Sequence, residues 1–200
     1  MNYPSKLIET AVNEISRLPS IGRKSALRLA LHLLKQDPME VRRLTQAIED
    51  LVEKTQYCTQ CHAISDTPIC QVCSSPKRDR SVICVVESIS DLMAIENTAQ
   101  YNGLYHILGG VISPIEGVDA ADLNIQSLVE RAAQPETQEI ILALNASMEG
   151  ETTAFYLTKL LKEKQVRIST IARGVPIGGE LEYTDEITLA RSIAKRIRYE

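Results

Sequence analysis

The central part of the chain alternates short apolar runs with longer segments of helical periodicity. The apolar runs have the length of buried strands, and they cover residues 82–86, 104–108, 139–144 and 167–171. Helical patterns lie between these runs, at residues 91–99, 122–133 and 149–164. Strands that alternate with helices predict a mostly parallel sheet with flanking helices. The pattern therefore predicts an α/β fold.

The amino-terminal segment has a different pattern, with two helices joined by a short turn. The helices are predicted at residues 6–16 and 23–36, and a Pro/Gly turn at residues 18–22 separates them. Apolar residues of the second helix follow the i, i+3, i+4, i+7 spacing, and they are Leu27, Ala30, Leu31 and Leu34. This spacing predicts a helical hairpin whose second helix buries that face.

The carboxyl-terminal segment combines a turn-rich connection with a closing helix. The connection covers residues 173–183, and the helix is predicted at 185–198. The segment contains neither a P-loop nor a dinucleotide-binding glycine motif. One face of the helix is apolar and consists of Ile187, Ala190, Ile193, Ala194 and Ile197. We expect this stripe to be buried, either within the chain or against another copy of it.

Composition limits the class of protein. With 200 residues, 44% of them apolar, the chain is long enough for one sizeable core and small additional modules. The first residues lack the pattern of a secretory signal, and no apolar run has the length of a membrane span. We therefore expect a cytoplasmic protein with no membrane partner, in a compartment that keeps thiols reduced. Cys84, inside an apolar run, is then expected to be a small core residue.

The positive charges are concentrated near the amino terminus. Residues 15–36 contain five cations and no acid, although the whole chain has a net charge of −4. The rest of the chain therefore has a charge of −9 (−4 minus +5). A basic module on an acidic protein is typical of local nucleic-acid binding, but a solvated helix face would give the same pattern. The charge pattern alone leaves both interpretations open.

Four cysteines occur in two closely spaced pairs. Cys58 and Cys61 form the first pair, and Cys70 and Cys73 form the second, each with two residues between its members. Paired thiolates at this spacing can surround one metal ion tetrahedrally, so we expect one structural zinc ion per chain. Two disulfides or four buried free thiols are the alternatives. His62 follows Cys61 directly, but four thiolates already complete a zinc shell, so we do not expect it to be a ligand.

The turn between the first two predicted helices offers a site for phosphate. Gly22 allows a close backbone turn, and the first N–H groups of the following helix have no partner inside the helix. Lys24 and Arg28 lie on one stripe of that helix, near its start. The segment LPSIGRKSA, residues 18–26, resembles the hairpin of helix-hairpin-helix DNA-binding modules, with Ser20 in place of the usual glycine. The resemblance implies contact with DNA phosphates and little sequence specificity.

Acidic and small polar residues follow the ends of two predicted strands. Glu87 comes after the first strand, and the segment NASMEGE, residues 145–151, comes after the third. Over about residues 80–174, this arrangement resembles the Toprim domain of topoisomerases and primases. Catalytic members hold Mg²⁺ with the first glutamate and an Asp-x-Asp pair, whose positions are Asn145 and Ser147 here. Because two carboxylates are missing from that site, we interpret the domain as non-catalytic.

Four acids still surround the predicted Toprim edge, namely Glu87, Asp91, Glu149 and Glu151. They are consistent with weak binding of Mg²⁺, which needs only one or two carboxylates, or with a surface for a partner. For Glu149 and Glu151 a third explanation is available, since acids in the first turn of a helix interact favourably with its dipole.

The order of these features resembles the RecR family of bacterial recombination proteins. After the Toprim-like part, the segment GVPIGGELEYTDEITLAR, residues 174–191, extends the resemblance over essentially the whole chain. The resemblance implies four parts: a helix-hairpin-helix module at 1–55, a four-cysteine zinc finger at 56–76, a Toprim domain at 79–174, and a glycine-rich loop with a helix at 175–200.

The resemblance also implies a function. Members are non-catalytic mediators of recombinational DNA repair that act with RecO and RecF to promote RecA loading on single-stranded DNA coated by single-strand binding protein. It implies a homo-oligomer, a tetrameric ring built from dimers, that is associated with the nucleoid when bound to DNA. Its DNA-binding residues correspond to Lys24 and Arg28, with Arg23 as an addition, and its zinc ligands to the four paired cysteines.

Two other classes of protein fit parts of the sequence. A metal-dependent nuclease or primase would use the Toprim-like site, and the neutral residues Asn145 and Ser147 count against it. A purely protein-binding adaptor would leave the basic helix as a solvated face.

Overall fold

Three helices make up the first of two structural units, which are divided after Thr55. The computed structural model describes residues 3–198, so the predicted parts 1–55 and 175–200 extend beyond the described residues. The helices are α1 (Lys6–Ile15), α2 (Arg23–Leu33) and α3 (Pro38–Lys54). The first two confirm the predicted helical hairpin, although each ends before its predicted end.

The core of this hairpin is small and centres on Val12, Ala26 and Ala30, which are all buried. The expectation that Leu31 and Leu34 also face this core is wrong, because their exposed fractions are 43% and 67%. Two alanines one turn apart allow α1 to approach α2 closely, so the contact follows them rather than the leucine stripe. Leu34 also lies at the end of α2, as its C-cap residue.

The turn of the hairpin has its unusual backbone conformation at Ser20. Ser20 has φ of +64°, in the left-handed region, and the turn is closed where the Ile21 N–H donates to the Leu18 carbonyl oxygen at 3.1 Å. Gly22 has an ordinary φ of −80°, and a Cβ added there would meet no atom within 4 Å. The expectation that Gly22 allows the close backbone turn is therefore wrong, since the bend lies two residues earlier, at Ser20. The serine retains the conformation that glycine supplies in related hairpins.

Helix α3 is absent from our sequence-based prediction. Its start carries two standard signals, since the Asp37 side chain accepts a hydrogen bond from the Met39 N–H at 2.7 Å and Pro38 opens the helix. The helix has an apolar stripe that is exposed along its length and consists of Leu44, Ile48, Leu51 and Val52. We call this stripe the α3 face.

The second unit begins with the cysteine-rich segment. Two short antiparallel strands, β1 (Gln56–Tyr57) and β2 (Ile64–Ser65), hold the first cysteine pair, and the helical turn α4 (Gln71–Ser74) carries the second. We call this element the knuckle.

The predicted α/β fold is confirmed in the rest of the second unit. Its parallel sheet has the order β4-β3-β5-β6, and the flanking helices are α5, α6 and α7. The strands are β3 (Asp79–Val86), β4 (Gly103–Ile107), β5 (Glu139–Leu142) and β6 (Arg167–Thr170). The helices are α5 (Ile89–Glu96), α6 (Ile125–Ala132) and α7 (Met148–Leu161).

The two faces of the sheet are covered by different elements. Ile83 and Val85 of β3 point into a core that includes Leu128 of α6 and Leu157 of α7. Their neighbours on the strand, such as Cys84, point to the opposite face, where α5 and the four knuckle cysteines pack. The knuckle is therefore part of the second core of this unit. Cys84 is buried, as predicted.

The carboxyl-terminal helix is shorter than predicted, and its apolar stripe is not buried within the chain, which leaves burial against another copy as the remaining expectation. Helix α8 (Glu186–Ala194) ends before the predicted residue 198, and none of its residues is buried. Ile187 and Ile193 are 68% and 61% exposed, and Ile197 beyond the helix is 92% exposed. Beyond Ala194, no element in the described part of the chain packs against the helix, which explains why it ends before residue 198. This stripe, the α8 face, is no membrane span, since no helix among residues 3–198 is long and apolar enough to cross a bilayer.

Replacing Ser20 by glycine is expected to stabilise the hairpin. Relief of the left-handed strain outweighs the larger backbone entropy of glycine in the unfolded chain, for a net gain of about 0.5–1 kcal/mol. Native-state hydrogen exchange of the α1 and α2 amides in the full chain is then expected to slow by about two- to fivefold.

Ser16→Gly is the matched control. Ser16 is the C-cap of α1 and has right-handed backbone angles (φ −74°, ψ −5°), so glycine there relieves no strain. Exchange is expected to become faster in this variant. Equal effects of the two substitutions would contradict the assignment of strain to Ser20.

Candidate metal centre and nucleic-acid interface

The backbone of the knuckle is folded so that its two cysteine pairs face each other. The Cys58 N–H donates to the Ala63 carbonyl at 2.7 Å, and the His62 N–H donates to the Cys58 carbonyl at 2.9 Å. His62 has φ of +62°, which completes this tight turn. The Cys70 side chain accepts from the Cys73 N–H and caps α4. Each pair is therefore set by local hydrogen bonds.

The four cysteine sulfurs form one buried cluster. Their Sγ atoms all lie within 4.8 Å of one another, and the Cys61 and Cys70 sulfurs are 3.6 Å apart. A tetrahedron with Zn–S bonds of about 2.3 Å has edges of roughly 3.8 Å, so the spacing suits one zinc ion. None of the four forms a disulfide, which excludes that alternative. Within residues 3–198 they are the one group of metal-ligating side chains gathered in this way.

Backbone donors favour the thiolate form at Cys58, whereas a hydrogen bond with Cys73 raises the pKa of Cys61 and burial raises that of Cys70. Burial alone would raise the pKa of Cys58, but N–H donors from Cys70, Cys61 and Gln60 outweigh it and lower the pKa to about 7. The Cys70 N–H lies 3.3 Å from the Cys58 sulfur. Such bonds stabilise a thiolate, and metal binding needs deprotonated cysteines.

His62 lies beside the cluster and is not one of its members. Its Nε2 is 2.8 Å from the Ser127 hydroxyl of α6, and its ring meets the His106 ring edge-on, with the centroids 5.3 Å apart. The Ile107 N–H also donates to the Cys61 carbonyl at 2.9 Å. The knuckle is thus tied to strand β4 and helix α6.

The basic residues of the hairpin are exposed, and the predicted DNA-binding set has no ion pairs. Arg23, Lys24 and Arg28 are exposed, and no carboxylate among the described residues lies within ion-pair distance of them. By contrast, Arg17 pairs with Glu14 at 2.9 Å. The N-cap Gly22 offers no side-chain hydrogen bond to the first turn of α2, so the N–H groups of that turn have no side-chain cap.

The same face of α2 extends further than the predicted DNA-binding set. A shallow groove of about 440 Å³ is lined by Lys24, Leu27, Arg28, Leu31, His32 and Lys35. His32 and Lys35 are outside the predicted set, although Lys24, Arg28, His32 and Lys35 follow one another at steps of four, four and three residues, which places them on one stripe. Leu31 lies in this groove rather than in the core.

At the Toprim-like edge, Glu87 is held by the residue that replaces an aspartate. Glu87 Oε1 accepts from the Asn145 backbone N–H at 2.6 Å, and Oε2 accepts from the Asn145 side-chain amide at 2.8 Å. Both carboxylate oxygens are therefore engaged by one neutral residue. An aspartate at position 145 would lack the amide donor and would place a second negative charge there.

Ser147 and Gly150 have structural roles in the same segment. The Ser147 hydroxyl caps α7 by accepting from the Gly150 N–H at 3.0 Å. A Cβ on Gly150 would lie 2.1 Å from the Asn145 carbonyl oxygen, so this position requires glycine. Of the two residues that distinguish this edge from a catalytic one, Asn145 thus holds Glu87 and Ser147 caps α7.

The acids of this edge are not assembled into a metal site. Asp91 accepts from the Ser88 N–H and hydroxyl at 2.9 and 2.7 Å in the cap of α5. Glu151 pairs with Arg173 and lies 3.8 Å from Arg191, so it ties α7 to the carboxyl-terminal segment. Glu149 stands in the first turn of α7. The structure therefore engages Glu87, Asp91 and Glu151 in contacts within the protein.

Family models match all four parts of the chain. They describe a RecR helix-hairpin-helix at residues 8–52, a RecR zinc finger domain with four cysteines at 55–75, a Toprim domain at 81–172 and a RecR C-terminal region at 174–197. The second match, together with the buried sulfur cluster, identifies the knuckle as a zinc finger that holds a structural zinc ion.

Relatives named "Recombination protein RecR" are similar over the full length. The relative from Amoebophilus asiaticus is 58% identical over 100% of both chains. The relative from Cytophaga hutchinsonii is 57% identical over 100% of this chain and 98% of its own. The relative from Phocaeicola vulgatus is 56% identical over 97% of this chain and 95% of its own. Identity at this level across every part shows that the chain belongs to the RecR family of recombination proteins.

Proposed function

We propose that this chain is a non-catalytic, DNA-binding mediator of recombinational repair. It acts with RecO and RecF to promote RecA loading on single-stranded DNA coated by single-strand binding protein. The observation that carries the DNA-binding step is the set of unpaired, exposed cations at the start of α2, namely Arg23, Lys24 and Arg28. Membership of the RecR family supports the partners and the pathway.

The chemistry of the hairpin favours contact with the DNA backbone. Phosphates suit a helix start with uncapped N–H groups and nearby cations, and such contacts carry no sequence information. The chain has no Trp and a single Phe, Phe155, which lies in α7 rather than in the hairpin. Base stacking is therefore not the main source of affinity.

Removing Lys24 and Arg28 together is expected to weaken DNA binding. In Lys24→Ala/Arg28→Ala, affinity at low salt is expected to fall by at least about tenfold, because each phosphate contact adds a charge-dependent contribution. The dependence of affinity on salt concentration is expected to become less steep. Fluorescence anisotropy with labelled single-stranded and duplex DNA at several salt concentrations measures both quantities.

Arg17→Ala is the control, because Arg17 lies in the same module but pairs with Glu14. It is expected to change affinity much less than the double variant. If the double variant binds as tightly as the wild type at low salt, the adaptor function becomes the better explanation.

We also propose that the chain assembles as a tetrameric ring of dimers through two apolar surfaces. The α3 face and the α8 face are each exposed in a single chain, and apolar stripes of this kind are usually covered by a partner. One hairpin contacts few phosphates, so several hairpins in one assembly raise the apparent affinity through effective concentration.

Introducing a charged side chain into either face is expected to separate the tetramer into dimers. Leu51→Asp lies on the α3 face and Ile187→Asp on the α8 face, where the side chains are 65% and 68% exposed. Each single variant is expected to form dimers, and the double variant monomers, as measured by light scattering. Gln165→Asp, at an exposed polar position in neither face, is the control. A wild-type chain that is monomeric at all working concentrations would contradict this proposal.

We infer further that the Toprim domain performs no bond cleavage or synthesis. A two-metal or one-metal phosphoryl transfer needs carboxylates to hold Mg²⁺, and here Asn145 engages both oxygens of Glu87. The remaining edge is better suited to contact with a protein partner.

Purified protein is expected to leave single-stranded and duplex DNA unchanged in length in the presence of Mg²⁺ or Mn²⁺. Gel analysis of end-labelled DNA checks this. Cleavage or extension that persists in Lys24→Ala/Arg28→Ala but disappears in Glu87→Gln would establish a catalytic Toprim site instead.

The proposed division of labour follows the four parts given by the sequence. Residues 1–55 bind DNA, residues 56–76 hold zinc, residues 79–174 form the Toprim domain, and residues 175–200 contribute to assembly. In this proposal the protein works in the cytoplasm and is associated with the nucleoid when bound to DNA.

A further inference from the structure

A positively charged side chain from helix α6 lies beside the zinc finger. Arg131 is in the last turn of α6, and its Nη1 donates to the Tyr105 carbonyl oxygen at 2.7 Å. The same Nη1 lies 3.1 Å from His106 Nδ1. None of the contacts assigned above to DNA, to Mg²⁺ or to assembly uses this arginine.

The hydrogen bonds of His106 show how the arginine is held. His106 is fully buried, and its Nε2 lies 2.8 Å from the Asn124 carbonyl oxygen. A carbonyl oxygen only accepts, so Nε2 carries the proton, and Nδ1 is left with the lone pair that accepts from Arg131. Burial, and then the charge of Arg131, lowers the pKa of His106 to about 3, so the ring stays neutral at physiological pH. His106 therefore fixes the position of the guanidinium group.

The side chain of Arg131 lines a cleft beside the finger together with Thr59 and Gln60, the two residues between Cys58 and Cys61. Burial lowers the pKa of Arg131, while electrostatic attraction to Cys73, Cys61 and Cys58 acts in the opposite direction. Four thiolates around Zn²⁺ carry a net charge of about −2, and a buried charge of that size is costly without a neighbouring opposite charge. Arg131 comes from the Toprim domain rather than from the finger, and no carboxylate among residues 3–198 lies within ion-pair distance of it.

We propose that Arg131 is a positioning residue of the zinc centre, whose positive charge offsets the negative charge of the four thiolates and slows the loss of zinc. The residues of the finger thus supply only part of the interactions that keep zinc bound. The remainder is supplied by α6, so retention of zinc depends on the intact contact between the finger and the Toprim sheet.

The experiment separates the charge of Arg131 from its hydrogen bonds. Zinc-loaded full-length protein is mixed with an excess of a chromophoric chelator, and zinc release is followed by absorbance. Arg131→Gln keeps an N–H donor but removes the charge, and it is expected to release zinc at least about tenfold faster than the wild type. Arg131→Lys keeps the charge, and its release rate is expected to stay within about threefold of the wild type.

Arg167→Gln is the matched control. It removes the same charge from an exposed arginine of β6 that pairs with Glu139, in the same structural unit. Release is expected to be unchanged in this variant. Equal rates for Arg131→Gln and the wild type would overturn the proposal. Equally fast release from Arg131→Lys and Arg131→Gln would also overturn it, since the hydrogen bonds and not the charge would then matter.

A spectroscopic readout reports on the thiolates directly. With Co²⁺ in place of zinc, the thiolate-to-metal charge-transfer band of Arg131→Gln is expected to move to lower energy, because the sulfurs lose a neighbouring positive charge. The band of Arg131→Lys is expected to remain in place, and an unshifted band in Arg131→Gln would overturn the proposal. If Arg131→Gln does not fold, Arg131→Lys decides alone, and a tenfold faster release from this variant overturns the proposal.

Discussion

A parallel sheet must be covered on both faces, and in this protein one of its covers is a metal site. Helices α6 and α7 close one face with leucine and isoleucine side chains, whereas α5 and the knuckle cover the opposite face in the described part of the chain. The four cysteines are buried in that second core together with Cys84 and Tyr105 of the sheet. Zinc therefore does more than close a small finger, because the element that it holds together shields one side of the sheet from water.

The electrostatics of the two units are opposite in kind. In the hairpin, Arg23, Lys24 and Arg28 are exposed, and no carboxylate among residues 3–198 lies within ion-pair distance of them, which leaves them available to an anionic ligand. At the Toprim edge, most of the acids are already bound to donors of the protein itself, with Glu87 on Asn145 and Glu151 on Arg173. A charged side chain without a partner can attract a ligand, whereas a charged side chain that is already paired within the protein stabilises the fold. The contrast favours DNA binding at the hairpin over metal chemistry at the sheet.

Much of the fold could be predicted from local signals. The strands were visible as apolar runs bounded by helical patterns, and the zinc ligands as two C-x2-C pairs. The errors concern packing. Leu31 and Leu34 have the spacing of a core stripe, but Ala26 and Ala30 allow a closer approach of α1 and take that role. Helix α3 has a capping aspartate and a proline at its start, yet its apolar stripe is exposed, so burial could not be inferred from amphipathicity alone.

Residue types and their spacing alone determined the identity of the ligand set, the α/β class and the location of positive charge, because these depend on chemistry that each residue carries with it. Only the tertiary structure decided that Asn145 occupies both oxygens of Glu87, 58 residues away, and that Arg131 of α6 lies against His106, in a cleft shared with Thr59 and Gln60 of the finger. Such contacts join positions that are distant in the chain, and no local periodicity records which distant side chain will fill the space. The positive φ of Ser20 is also decided by the tertiary structure, since a serine adopts this conformation only where the surrounding helices hold the turn closed.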